Sequence, residues 1–124
     1  MTQVLDASAL LAVFRSEPGA ANVDLEGALV STVNWTEVAQ RLVPLGIEPR
    51  VLTARAQASG LRVVPFDLEQ AERAAALFAP TRAAGLSLGD RACLALGQVA
   101  GAAVVTADRA WANLDVGVDV VLVR

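Results

Sequence analysis

Short apolar runs and stretches of helical period alternate along this 124-residue chain, and that alternation restricts the folds open to it. Gln3 to Leu5, Ala28 to Ser31, Leu61 to Pro65, Ala102 to Thr106 and Val118 to Val123 read as strands. Between them, Ala7, Leu10, Leu11 and Phe14 recur at i, i+3, i+4 and i+7, one face of a helix that Glu17-Pro18-Gly19 stops. Trp35, Val38, Ala39, Leu42 and Val43 form a second helix face, ended near Pro44 and Gly46. Pro49 opens a third helix and Gly60 closes it. Leu68, Ala71, Ala75 and Phe78 mark a fourth, and Leu88, Ala92, Ala95, Leu96 and Val99 a fifth. The Ala102 to Thr106 run is apolar at nearly every position, as a strand covered on both faces requires. The expected fold is therefore α/β: a three-layer α/β/α domain with a central parallel sheet and helices on both faces. At this length, with no linker or repeat, one domain over residues 1–124 is expected.

Composition narrows the chemistry more by what is missing than by what is present. The chain has no His, which excludes Ser-His and Cys-His triads and any His-ligated zinc. It has no Lys, which excludes Schiff-base chemistry and a phosphate loop ending in Gly-Lys-Ser/Thr; all ten basic residues are Arg. A net charge of −3 gives no support to a broad electrostatic nucleic-acid binder, but leaves room for local contacts through Arg or metal ions. No apolar run is long enough to span a membrane, and the start has no basic stretch of the signal-peptide kind. The lone Cys93 cannot form an internal disulfide, so a cytoplasmic location is expected.

Carboxylate chemistry remains, and four acids are placed to carry it. Asp6 and Asp108 follow strand-like runs, where open parallel sheets form their sites. Glu37 and Asp90 are expected in the first turns of their helices, two positions after Trp35 and Leu88. At 100° per residue each lies about 200° from that apolar neighbour and points away from the apolar stripe. Each acid also has a structural reading. Asp6 and Asp108 can cap the helices that follow, Ser87-x-x-Asp90 resembles a capping box, and Glu37 can pair with Arg41 at i, i+4. Taken together the four ask for a cation, because two carboxylates about 4 Å apart repel by about 4 kcal/mol at an effective dielectric near 20. Oxygen-only ligation suits Mg2+ or Mn2+, and a coordinated water then supplies a nucleophile without histidine.

The segments VLDASALLA, STVNWTEVA, GLSLGDRACLALG and TADRAW, in this order and spacing, resemble the PIN-domain ribonucleases, and among these the VapC-type toxins of bacterial toxin–antitoxin pairs. The resemblance runs from Val4 to the closing strand. It implies a Mg2+- or Mn2+-dependent endoribonuclease in which Asp6, Glu37 and Asp90 shape the metal site, directly or through water, and Asp108 assists. Ser8 and Thr106 then stand as supporting hydroxyls, and Asp115 as a loosely spaced further acid with an alternative place in the turn before the last strand. Arg91 and Arg109 have two readings, as phosphate ligands or as solvated counter-charges. Trp35, Trp111 and Cys93 read mainly as packing residues, with base stacking the other role open to the tryptophans.

The resemblance also implies an RNA substrate (transfer, ribosomal or messenger), a cognate antitoxin partner, a homodimer and no membrane association. A mean hydropathy of +0.50 is compatible with buried partner surfaces and equally with a tightly packed small domain. The chief competing reading is a catalytically inactive PIN-like module that binds RNA or protein. A receiver domain would want a Lys near its acids, and a haloacid-dehalogenase-like phosphatase would want Asp-x-Asp where this chain has Asp6-Ala7-Ser8.

Overall fold

A computed structural model describes residues 2–124 of the chain. Its centre is a parallel five-stranded sheet of β1 (Gln3–Leu5), β2 (Leu29–Ser31), β3 (Arg62–Val64), β4 (Ala103–Thr106) and β5 (Val120–Leu122), in the order β3-β2-β1-β4-β5. The helices are α1 (Ala7–Phe14), α2 (Thr32–Leu42), α3 (Pro49–Ala58), α4 (Leu68–Ala76), α5 (Phe78–Thr81) and α6 (Leu88–Ala100), with short 3-10 turns between some of them. The three-layer α/β/α fold expected from the alternation is the fold observed.

Strand side chains alternate between two cores. Leu5, Val30 and Val105 point to one face and pack with α1, α2 and α3. Val4, Leu29 and Val104 point to the other and pack with α6 and the end of α4. The three central strands β2, β1 and β4 are thus buried on both faces, which is why they read as continuous apolar runs. Because β1 pairs with β2 on one side and β4 on the other, the chain reverses its direction of progress across the sheet at β1. A crevice opens at such a reversal, beyond the carboxyl ends of the strands.

Two helix faces differ from the expected ones. In α4 the buried residues are Gln70 and Ala74, continued by Leu77 and Thr81, whereas Leu68 is 75% and Phe78 51% exposed. Both sets have helical spacing, and hydrogen bonding decides between them. Gln70 Nε2 donates to the Pro65 carbonyl at 3.1 Å and Thr81 Oγ1 to the Leu77 carbonyl at 2.7 Å, so the donors of both residues are satisfied, although Gln70 Oε1 is buried without a partner among the described residues. In α6 the ends protrude, with Leu88 62% exposed and Val99 also exposed, while Ala92 through Gly97 are all buried. The helix is enclosed by the sheet, α2 and α4, so its middle turns have no solvent face. Gly97 makes this possible, because a Cβ there would stand 2.7 Å from Val104 Cγ1. Elsewhere β1 has the expected bounds and the other strands are one to three residues shorter than expected, α3 ends at Ala58, and Val43 leaves the α2 face for a 3-10 turn, where it is exposed.

Candidate active site

The four acids reach one cleft, of about 260 Å³, at the switch point. It is lined by Asp6, Glu37, Asp90 and Asp108 together with Ser8, Asn34 and Glu17, and Arg15, Arg41 and Arg124 contribute to its wall. Asp6 lies deepest, at 4% exposure. Its backbone N–H donates to the Val105 carbonyl at 3.1 Å, which fixes the residue at the joint of β1 and β4. One side-chain oxygen accepts from Ser8 Oγ at 2.7 Å and from the Ala9 N–H at 2.8 Å, and the other accepts from Thr106 Oγ1 at 2.5 Å. Ser8 Oγ in turn accepts from the Ala107 N–H at 2.9 Å, and Thr106 Oγ1 from the Asp108 N–H at 3.0 Å. A chain of hydrogen bonds therefore couples the ends of β1 and β4 through the Asp6 carboxylate. Burial pushes its pKa from 3.8 to about 6; the bonds from Thr106, Ala9 and Ser8 pull it down, and the negative charge of Asp90 adds to the rise.

The structural readings of three acids are realised in the same molecule. Asp6 caps α1, Asp108 caps the 3-10 turn Arg109–Trp111 by accepting from the Ala110 N–H at 2.9 Å, and Ser87 and Asp90 form a reciprocal capping box. The capping bonds use one oxygen of each carboxylate, and at Asp6 the other oxygen accepts from Thr106. Glu37 departs from expectation. It lies in the second turn of α2, since Ser31 already caps that helix, and it forms no ion pair with Arg41; among the described residues the only pair within 4 Å is Arg73 with Glu69.

Asn34 and Gly89 hold Glu37 instead. Asn34 Nδ2 donates to Glu37 Oε1 and to the Gly89 carbonyl, each at 2.9 Å. Gly89 leaves room for the carboxylate, since a Cβ there would stand 2.6 Å from Glu37 Oε1. Neither residue was expected from the sequence. Asn34 offered a faint signal: an asparagine inside a helix, three residues before an acid, needs a partner for its amide. Arg15 and Arg124 were likewise not anticipated, because nothing local ties them to the acids.

The other candidates fall elsewhere. Arg91 turns away from the cleft, donating to the Leu86 carbonyl at 2.9 Å and standing 5.2 Å from the Phe78 ring, while Arg109 is exposed on its turn and is not among the lining residues. Asp115 is exposed ahead of β5, also outside the cleft. Trp35 and Trp111 are buried in the two cores; Trp35 donates to Thr53 Oγ1 at 2.9 Å and meets Phe14 edge-on. Cys93 is fully buried, and burial together with the charges of Asp6, Asp90 and Glu37 pushes its thiol well above the ordinary range, so it is an inert packing group.

Residues 4–117 match the family model described as PIN domain. The chain belongs to the PIN-domain family. Its fold is similar to a toxin–antitoxin complex from Klebsiella pneumoniae (21% identity, 98% of each chain covered, TM-score 0.77). It is also similar to DNA-bound VapBC from Salmonella typhimurium (15% identity, 100% and 99% covered, TM-score 0.74). A third similar structure is FitAcB from Neisseria gonorrhoeae (20% identity, 98% and 97% covered, TM-score 0.71). No curated protein matches the chain significantly. At these identities the structural matches establish the PIN fold over the whole length of the chain. Among the described residues no helix is long and apolar enough to cross a membrane.

Proposed function

We propose that this PIN-domain protein is a VapC-type toxin: a Mg2+- or Mn2+-dependent endoribonuclease, one catalytic unit over residues 1–124, acting in the cytoplasm and held inactive by a cognate antitoxin. The observation that carries this reading is the meeting of Asp6, Glu37, Asp90 and Asp108 in one cleft, from four separate parts of the chain.

The donors suit a hard cation. They are all oxygen, and burial, with the charge of Asp90 adding to it, raises the pKa of Asp6, a desolvated carboxyl whose ionised form a cation would stabilise. Among the described residues no three acidic side chains stand close enough to close directly around one ion. Mg2+ does not require such a closed set, since it binds through one or two carboxylates and keeps several waters. Asp6, Glu37 and Asp90 would hold the ion directly or through water, with Asp108 assisting. A bound cation would lower the pKa of a coordinated water and take up charge on a phosphoryl oxygen.

The remaining tasks belong to the chain itself. Ser8 and Thr106 keep both Asp6 oxygens aimed while the carboxyl loses its proton. Arg15 and Arg41, exposed at the rim and in no ion pair among the described residues, offer guanidinium forks to the RNA backbone. Transfer, ribosomal and messenger RNA all present such a backbone.

Exposed apolar side chains support protein partners. Val43, Leu45, Ile47 and Val51 cluster where α2 meets α3, and Leu68, Phe78 and Leu88 stand out around α4 to α6. An antitoxin and a second copy of the chain would cover such surfaces. One similar solved structure is described as a toxin–antitoxin complex and another as VapBC bound to DNA, which favours the antitoxin. Light scattering at several concentrations tests the homodimer, and a monomer throughout would remove it.

The deciding experiment is cleavage of end-labelled RNA by the purified chain with Mg2+, with Mn2+ and with chelator, beside Asp90→Asn. Discrete fragments that need the metal and vanish in the variant are expected. Intact RNA in every lane, from folded and antitoxin-free protein, would favour a non-catalytic binding module.

A further inference from the structure

Asn34 is 1% exposed, yet it lines the acid cleft. Its amide has two N–H donors, and both are used: one on Glu37 Oε1 and one on the Gly89 carbonyl. The neighbours decide which way round the amide sits. Both facing groups are acceptors, so the turned-over amide would set an oxygen against two oxygens. Asn34 Oδ1 is buried without a hydrogen-bond partner among the described residues. A buried acceptor left unmade is costly, so the two donors are what this position retains. The bonds run between helices, since Glu37 belongs to α2 and Gly89 precedes Asp90 in the first turn of α6. Gly89 limits the same carboxylate from the other side, where even a Cβ would intrude at 2.6 Å.

We propose that Asn34 is a positioning residue of the cleft. It aims the Glu37 carboxylate and ties it to the turn that carries Asp90, so that the two acids keep the separation at which they hold a divalent cation. This rests on the nuclease reading above and extends it to a residue that touches neither metal nor RNA. Partners of this kind behind a metal site typically change affinity 10- to 100-fold when removed.

The test is Mn2+ binding, measured by calorimetry on the full chain and on Asn34→Ala, Glu37→Gln and the double variant. Asn34→Ala is expected to weaken Mn2+ binding about 10- to 100-fold. If Asn34 acts through Glu37, the double variant binds no more weakly than Glu37→Gln alone, a non-additivity that general loosening of the fold would not produce. Unchanged Mn2+ affinity in folded Asn34→Ala, or additive losses in the double variant, overturns the proposal. Where Asn34→Ala lacks a cooperative melt, Asn34→Ser takes its place, and a second failure to fold shows a purely structural residue. Wild-type protein that binds no Mn2+ and cuts no RNA instead defeats the nuclease reading itself.

Discussion

The two walls of the acid cleft are built on different principles. Asp6 stands on the sheet, buried, bonded through both oxygens and locked to the end of β4. Glu37 and Asp90 stand on helix surfaces, half-buried, and are held across a helix–helix contact by one amide and one glycine. The first wall is rigid and carries an electrostatic penalty. The second is half-buried, and its geometry depends on how two helices pack. Damage to the first wall should therefore remove chemistry and relieve strain, whereas damage to the second should remove chemistry through misplacement.

The largest effect belongs to the sheet wall. Asp6→Asn is expected to lower cleavage by more than about 100-fold, beyond the usual cost of losing an outer partner of a metal site. The same change should stabilise the protein at neutral pH. The folded pKa of Asp6 is raised from 3.8 to about 6, so the contribution of the neutral carboxyl is fully present below pH 3.8 and is lost as pH rises through about 6. A rise of that size corresponds to on the order of 3 kcal/mol, an upper bound once altered hydrogen bonds to Asn are counted. Thermal melts at pH 7.5 and pH 4 check this: Asp6→Asn should melt higher than wild type at pH 7.5, and the gap should close at pH 4. Asp90→Asn should lose cleavage to a similar extent and, because that side chain is only half-buried, should gain less stability at pH 7.5. Equal stabilisation of the two variants would dissolve the distinction between the walls.

How much of this was legible in the sequence follows the same division. The strand-end acids are legible because a strand is announced by a contiguous run: Leu5 directly precedes Asp6, and the run that ends at Thr106 stops two residues before Asp108. The helix acids were legible as residues but not as a geometry. Glu37 was placed one turn too early, because Ser31 serves as both the last strand residue and the helix cap, a junction without a connecting loop. The apolar face of α4 was assigned to Leu68, Ala71, Ala75 and Phe78 because periodicity favours the oilier of two equivalent stripes. Gln70 and Thr81 are buried instead, and the donor of each finds a backbone carbonyl, a local pairing that has no signature in hydropathy. Asn34 and Gly89 escaped notice because their meaning lies in a contact between residues 55 apart in sequence.

An intermediate effect tests the helix wall. Gly89→Ala should gain up to about 1 kcal/mol of helix propensity and lose about 1–3 kcal/mol to the clash with Glu37, for a small net loss of stability. Cleavage should fall about tenfold or more, since a displacement of 1 Å at a reacting centre can cost that and beyond. Comparing the melt with the rate separates the two quantities. A rate unchanged within twofold would mean that the carboxylate position at α2 is tolerant, and the helix wall would then be no more exacting than an ordinary surface.

The smallest expected effect lies outside both walls, at Arg15 and Arg41. They line the cleft beside five acids, yet among the described residues neither comes within ion-pairing distance of a carboxylate. Exposed pairs are worth at most about 1 kcal/mol, so leaving them unmade costs the fold little and keeps the guanidinium groups free for an external anion. Arg15→Gln and Arg41→Gln should therefore leave the melting temperature nearly unchanged and raise KM a few-fold, with the effect fading at high salt. For single-stranded RNA each lost phosphate contact lowers the slope of log affinity against log salt by about 0.7. Measuring KM from 50 to 300 mM salt reads that slope directly. A drop in one variant only would show which wall the RNA backbone follows, since Arg15 lies just past the end of α1 and Arg41 near the end of α2. No change in either slope would move the path of the RNA off this rim altogether.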